Sequence, residues 1–361
     1  MCMALSIGIV GLPNVGKSTL FNALTDAEVL AANYPFATIE PNTGIVPIPD
    51  SRLNELAKIY KTEKIVPATV TFVDIAGLVA GASQGEGLGN QFLAHIRSCS
   101  AICQVVRAFT DPNVQHVDNE YDPKKDIEVI NTELVLADLQ TVDRRLPRLE
   151  KESRADLKLK PLFEKLQKIH DILDSGKPVN AVFPAEDIEG LEDLQLITAK
   201  PIIYVFNIDE NGLGDSSKKQ RLSQLVAPAK ALFVCAKLES ELRGLDEKDQ
   251  TELLASFGQT ESGLNQVVHA AYDVLGLQSF LTAGPKEVRA WTVKKGSTAP
   301  QAAGVIHSDF EHGFIAAQIV GYNDLIAAGS ESAARAAGKL RTEGKTYVMQ
   351  PDDVVEFRFN V

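Results

Sequence analysis

The chain lacks any apolar run approaching the roughly 18 residues that a membrane-spanning helix requires, so a helical membrane protein is not expected. Its opening residues, MCMALSIGIVG, carry neither a basic leader nor a cleavage site, and the apolar stretch passes directly into a Gly-rich loop. They read as a first strand, and the expected location is cytoplasmic, with no membrane partner. Cysteine is scarce: Cys2, Cys99, Cys103 and Cys235 are too few and too scattered for a disulfide framework. Cys99 and Cys103 have the spacing of one helix face, but a zinc site needs more ligands nearby, so buried free thiols are expected. Positive charge is also short. With 36 Lys and Arg against 48 Asp and Glu, the net charge is -12, which excludes a whole-surface affinity for nucleic acid. An RNA contact has to come from a local patch.

What is present is a globular composition, 45% hydrophobic and 23% charged, over 361 residues, enough for two or three domains. The stretch LSIGIVGLPNVGKSTLFNAL sets Gly11, Gly16, Lys17 and Ser18 in the spacing G-x-x-x-x-G-K-S, after an apolar strand and before a helical pattern. Glycines let such a loop wrap backbone N–H groups around a β-phosphate, Lys17 reaches the β/γ oxygens, and Ser18 can ligate Mg²⁺. Asn14, Val15, Gly16, Lys17, Ser18 and Thr19 are therefore the candidate phosphate contacts. A second segment, ATVTFVDIAGLVAGASQGEGLGNQF, is a β-rich run ending at Asp74 and followed by Gly77. At the carboxyl end of a parallel strand, Asp74 can meet the same Mg²⁺ through water while the Gly77 N–H faces the γ-phosphate. Glycines at 81, 85, 87 and 89 suit a segment that orders around that phosphate. Between the two lies NYPFATIEPNTG, where Thr38 can supply a metal-binding hydroxyl and Thr43 is a second candidate on the same loop.

With these motifs in hand the chain closely resembles the YchF family, the Obg-like ATPases of the translation-factor class of P-loop proteins. The likeness runs from GLPNVGKSTLFNALT to KEVRAW and APQAAGVIHSDFEHGFIAAQ near the C-terminus. It implies an α/β P-loop NTPase nucleotide domain with an inserted antiparallel α-helical coiled-coil arm and a C-terminal β-grasp (TGS) domain. The expected boundaries are 1–128 and 197–280 for the nucleotide domain, 129–196 for the arm and 281–361 for the TGS domain. It also implies Mg²⁺-dependent hydrolysis of ATP in preference to GTP, and association with the ribosome, either the large subunit or the whole particle.

Many GTPases place a water-positioning Gln after D-x-x-G; here the residue is Leu78, whose alkyl chain cannot orient water. Turnover is then slow, or another polar group enters, or a partner supplies one. The resemblance points to a histidine on a mobile loop, and TDPNVQHVDNEYDP puts His116 at the matching position. His95, on the helical pattern NQFLAHI, is expected at the surface or in packing, and His307 and His312 are expected to be structural residues of a loop.

The turn PIIYVFNIDENG decides the base. Guanine presents N1–H and N2–H₂, two donors that a carboxylate accepts together, whereas adenine presents an acceptor at N1 and a donor at N6. Here Ile208 stands where GTP-binding relatives carry Lys, and Glu210, one methylene longer, where they carry the guanine-reading Asp. The resemblance assigns adenine contacts to Asn207 and the backbone at Ile208, with Glu210 in the altered specificity position. Asp209 leaves a carboxylate one residue away that could still reach a base. LFVCAK resembles the neighbouring base loop, with the Ala236 backbone near the ring.

Apolar residues at 135, 139, 142, 146 and 149, resuming at 162, 166, 169 and 173, alternate as a coiled-coil seam does. Pro161 suits the first turn of the second helix. Residues 144–168 hold nine Lys/Arg against four Asp/Glu, a local excess of five positive charges that suits ribosomal RNA. An exposed helical hairpin carries the same composition without an RNA partner. After Leu281 the pattern changes to short strands, a small-residue helix near APQAAGVIH, and nine basic against nine acidic residues from 283 on. The motif set leaves open a GTPase switch in ribosome assembly and a nucleotide-dependent scaffold with little hydrolysis.

Overall fold

The first strand, β1 (Ser6–Val10), buries Ile7, Ile9 and Val10 completely, the composition of a central parallel strand covered on both faces. β4 (Thr69–Asp74) flanks it on one side and β5 (Ala101–Arg107) on the other, both parallel. β6 (Ile202–Asn207) and β7 (Lys230–Val234) extend the sheet from β5, again in parallel. With β2 (Thr43–Pro47) at the edge, the order is β2-β4-β1-β5-β6-β7. The order reverses at β1, the point where a parallel sheet opens a crevice for a ligand at its carboxyl edge. The computed structural model describes residues 5–25, 43–75, 88–109, 122–183, 188–242 and 244–360. These residues form two units, one of 5–25, 43–44, 71–75, 88–109, 122–183, 188–242 and 244–271, the other of 45–70 and 272–360.

In the first unit a helix of 33 residues, Pro123–Ala155, starts at an Asp122 cap, whose side chain accepts from the Lys124 amide at 3.0 Å. Pro147 stands inside it. A short turn, Leu157–Leu159, leads to the return helix Lys160–Asp174, with Pro161 in its first turn. His170 meets Asp143 across the turn at 3.1 Å, so the two helices run antiparallel. Val135, Val142, Leu149, Leu166, Ile169 and Leu173 are buried in one cluster, against which Leu139, Leu146 and Leu162 pack. At the root, the buried Asp138 accepts from the Ile197 amide at 2.9 Å, the Thr198 amide at 2.7 Å and the Thr198 hydroxyl at 2.8 Å. Arg97, from the helix Leu88–Ser98, donates to Ala137 O and Thr141 Oγ1 of the long helix and lies 3.6 Å from Asp138. Lys200 donates to the carbonyls of Arg97 and Cys99. Burial pushes the Asp138 carboxyl up, against its three hydrogen bonds and the Arg97 charge.

Cys99 and Cys103 do not share a helix face. The helix ends at Ser98, and Cys103 lies in β5, because AICQVVR, with β-branched Ile102, Val105 and Val106, forms a strand buried at every position. Both are buried free thiols, as is Cys235.

In the second unit β8 (Leu277–Ala283) and β9 (Val288–Lys294) form an antiparallel pair, and β10 (Phe314–Gly321) pairs antiparallel with β11 (Arg341–Glu343) and β12 (Asp353–Phe359). β12 lies parallel to β8, and β3 (Ile65–Val66) parallel to β9, giving the order β11-β10-β12-β8-β9-β3. The helix Ala299–Ile306 lays the fully buried Ala299, Ala302 and Ala303 on this mixed sheet, where small side chains admit close approach to Phe280, Ile319 and Phe357. Arg52 ties residues 45–70 to the rest of the unit through Asp352 at 3.0 Å and Ser279. Tyr272 donates to Thr292 Oγ1 at 3.2 Å, and burial pushes its phenol up to about 12. His307 caps a short helix, Ser308–His312, that replaces the expected loop; its Nδ1 accepts from the Asp309 amide. Among the described residues no group of three or more His, Cys, Asp or Glu is placed to hold a metal ion. Among them, too, no helix is long and apolar enough to cross a membrane.

Candidate nucleotide site

From Val10 the chain turns through residues 11–16 into the helix Lys17–Leu24. Two glycines here are required by geometry. A Cβ at Gly11 would stand 2.6 Å from Val105 O, and Gly16 has φ +97° with its absent Cβ 2.5 Å from Asn207 Nδ2. Asn14 takes φ 63°, a left-handed conformation that Asn tolerates. Among the described residues no side chain caps this helix start, so the amides of Lys17, Ser18 and Thr19 lie at the positive end of the helix dipole. That arrangement suits an anion.

Lys17 is only 8% exposed and donates to Leu12 O at 2.8 Å. Burial pushes its ammonium below the usual lysine range, opposed by the Asp74 charge. Asp74, the last residue of β4, accepts from Ser18 Oγ at 3.5 Å. Burial raises its carboxyl above the usual range, opposed by Lys17 and the Ser18 hydrogen bond. Asp74 Oδ1 is buried and has no hydrogen-bond partner among the described residues. A hydroxyl beside a carboxylate with an unpartnered oxygen is a hard-oxygen donor set that fits Mg²⁺. Thr43 begins β2. Thr38, Gly77, Leu78 and His116 lie outside the described residues, as do the glycines at 81, 85 and 87; Gly89 falls in the first turn of the helix Leu88–Ser98.

The base side is built at the ends of β6 and β7. Asn207 Nδ2 donates to Val15 O at 3.1 Å, which fastens this turn to the phosphate loop. Ile208 is 2% exposed and its amide donates to Val234 O at 2.9 Å, so that amide is already engaged within the fold. Asp209 Oδ1 accepts from the Gly212 amide at 2.7 Å and caps the helix Glu210–Gly214, with Lys218 Nζ 3.9 Å away. Glu210 Oε1 lies 2.7 Å from Lys237 Nζ, and this contact raises the Lys237 pKa. Ala236 opens the next helix, Ala236–Leu242. One cavity is lined by Gly16, Thr19, Asn207 and Ala236 together with Glu239, a residue that sequence reasoning missed. Buried Glu239 accepts from the Gly263 amide at 2.7 Å and so joins the base loop to the helix Gly263–Val274. Its only sequence signal is its place three residues after Ala236.

Two family models match the chain: 50S ribosome-binding GTPase (MMR_HSR1) over residues 6–143, and YchF-GTPase_C, described as a protein of unknown function (DUF933), over residues 277–360. The chain is 50% identical over 366 residues to the ribosome-binding ATPase YchF of Bacillus subtilis, covering 99% of this chain and all of that one. It is 50% identical over 363 residues to the protein of the same name from Haemophilus influenzae, and 48% to that of Escherichia coli O157:H7, each at 99% and 100% coverage. Among solved structures, the Schizosaccharomyces pombe YchF GTPase superposes with a TM-score of 0.86 at 38% identity, covering 99% of this chain and 98% of that one. The P-loop α/β sheet, the long helix and the C-terminal mixed sheet all fall within that superposition, and the chain belongs to the YchF family.

Proposed function

We propose that this protein is a Mg²⁺-dependent ATPase that prefers ATP to GTP, binds the ribosome in the cytoplasm and couples its nucleotide state to that association. The amides from Asn14 to Thr19 cradle the phosphates, and Lys17 neutralises charge on the β/γ oxygens as the terminal bond breaks. Ser18, Thr38 and, through water, Asp74 would hold the metal, which would supply neutralisation of the phosphate charge. The Gly77 N–H meets the γ-phosphate, and His116 orients the attacking water, a task that Leu78 cannot perform. Asn207, Ile208, Glu210 and Ala236 frame adenine.

The observation that carries the ATP reading is the state of the two carboxylates after β6. Asp209 caps a helix and Glu210 is ion-paired, so each carboxylate already has one oxygen engaged and neither offers both oxygens free to the paired donors of guanine. A guanine in this pocket leaves N1–H and N2–H₂ poorly matched, a mismatch of the kind that gives large discrimination in hydrogen-bonding sites. The ribosome reading is supported by the names of relatives half identical along the whole chain. The helical hairpin of 129–196, taken as a coiled-coil arm, is the surface for ribosomal RNA through the cations between Arg144 and Lys168, and 281–361 acts as a TGS docking domain. Titration calorimetry of ATP and GTP against the Mg²⁺-bound protein tests the reading. Tighter ATP binding is expected; equal or tighter GTP binding would overturn it.

A further inference from the structure

The two carboxylates at the base turn are held differently. Asp209 accepts from the Gly212 amide of its own helix start and lies 3.9 Å from Lys218 Nζ, nine residues further along the chain. Glu210 is held from a different loop: Lys237 lies one residue past Ala236, in the first turn of the helix after β7. Lys237 also lies 3.9 Å from Glu241, one turn along the same helix, so two carboxylates hold its ammonium. The contact therefore bridges the two loops that enclose the base, and it fixes where the Glu210 carboxylate points. Asn207, three residues earlier, is fastened to the phosphate loop at Val15 O, and Glu210 holds the position at which GTP-binding relatives carry the guanine-reading Asp.

We infer that Lys237 is a specificity-determining residue, which excludes guanine by holding the Glu210 carboxylate in an ion pair and out of reach of the guanine N1–H and N2–H₂ donors. This rests on the ATP reading above and adds a cause to it. A carboxylate released from its cation is an acceptor pair for guanine and an acceptor set against adenine N1. Loss of Lys237 should then help GTP and hinder ATP at once. Glu210 and Lys237 are 35% and 69% exposed, and ion pairs with that exposure are weak, so the change is a few-fold one.

The test is displacement of a fluorescent ATP analogue by ATP and by GTP, with Mg²⁺, for wild type, Lys237→Met, Glu210→Gln and the double variant. Lys237→Met is expected to lower the ratio Kd(GTP)/Kd(ATP) by about three- to fivefold, the upper range for an exposed ion pair. The double variant should match Glu210→Gln within about twofold, since no carboxylate is left to release. A ratio in Lys237→Met within about twofold of wild type would overturn the inference. So would a fall that persists in full in the double variant, because its cause would not be Glu210. A wild-type ratio at or below one would instead defeat the ATP preference itself, while the shift between wild type and Lys237→Met still reads the ion pair.

Discussion

Gly16→Ala concentrates two costs at one atom. Gly16 sits at φ +97°, where an L residue pays about 1–2 kcal/mol that glycine does not. The added methyl would stand 2.5 Å from Asn207 Nδ2, so Asn207 has to turn away and its 3.1 Å hydrogen bond to Val15 O is lost, about 1 kcal/mol more. Both costs fall where the phosphate loop meets the base turn. If the empty loop relaxes and only the bound geometry demands the native backbone, the sum of about 2–3 kcal/mol appears as weaker binding, roughly 30- to 150-fold. ATP titration calorimetry with Mg²⁺ measures this, with thermal denaturation reporting the fold. Gly258→Ala is the control: Gly258 has a similar φ of +66° but nothing within 4 Å of its would-be Cβ, so it should lose about 1 kcal/mol of stability and no ATP affinity. Binding by Gly16→Ala within about threefold of wild type, together with a stability loss no greater than the roughly 1 kcal/mol of Gly258→Ala, would refute the argument that the loop and the Asn207 turn share one rigid geometry.

Asp138→Ala should destabilise the first unit by about 3–5 kcal/mol, seen by calorimetry, because it strands the Ile197 and Thr198 amides and the Thr198 hydroxyl around a void. The same variant should bind ATP within about twofold of wild type, since Asp138 touches no group of the phosphate loop. His116→Ala should lower ATP turnover in a steady-state phosphate-release assay while leaving ATP affinity nearly intact; unchanged turnover would remove His116 from the mechanism. The phenol of Tyr272, raised to about 12, is neutral in the folded chain beyond its ordinary value of 10, so its stabilisation is whole below pH 10 and is lost as pH rises through 12. Chemical denaturation should therefore show the advantage of wild type over Tyr272→Phe shrinking by up to about 2.7 kcal/mol across that window, with a flat difference counting against it.

The phosphate loop was legible because everything it needs is local: an apolar strand, glycines at fixed spacing, then Lys17 and Ser18 opening a helix. The hairpin was legible for a similar reason, since a repeat of alternating three and four residues marks a buried seam, and Val142, Leu149, Leu166 and Ile169 meet in one. Pro147 gives the opposite signal, a helix break, yet the helix runs through it, packed on both sides of that residue by Leu146 and Leu149. Cys99 and Cys103 misled because a four-residue spacing is helical only if the chain stays helical, and β-branched residues from Ile102 onward favour a strand. The attachment of Ile65 and Val66 to β9 spans more than 200 residues of chain and has no local mark. What Glu239, Asp138 and Glu210 hold was hidden for the same reason. Each is an acidic residue in an ordinary helical or turn setting, and only tertiary packing decides that one holds an amide, one a buried turn and one a lysine.

β6 explains why the site and the root of the hairpin belong to one mechanical element. It is buried from Ile203 to Phe206 and paired on both sides, to β5 from Ile202 to Asn207 and to β7 from Ile203 to Asn207. Its far end carries Asn207, bonded to the phosphate loop at Val15. The residues leading into it are Thr198, held by Asp138 of the long helix, and Lys200, held by the carbonyls at the end of the helix Leu88–Ser98. A close-packed strand with both edges bonded does not stretch or slip by fractions of a register, so a displacement at one end is carried whole or not at all. A displacement at the nucleotide site would therefore reach the hairpin through β6 only where the Asp138 clasp holds. Where the clasp is cut, the site keeps its geometry and the hairpin loses its reference to it.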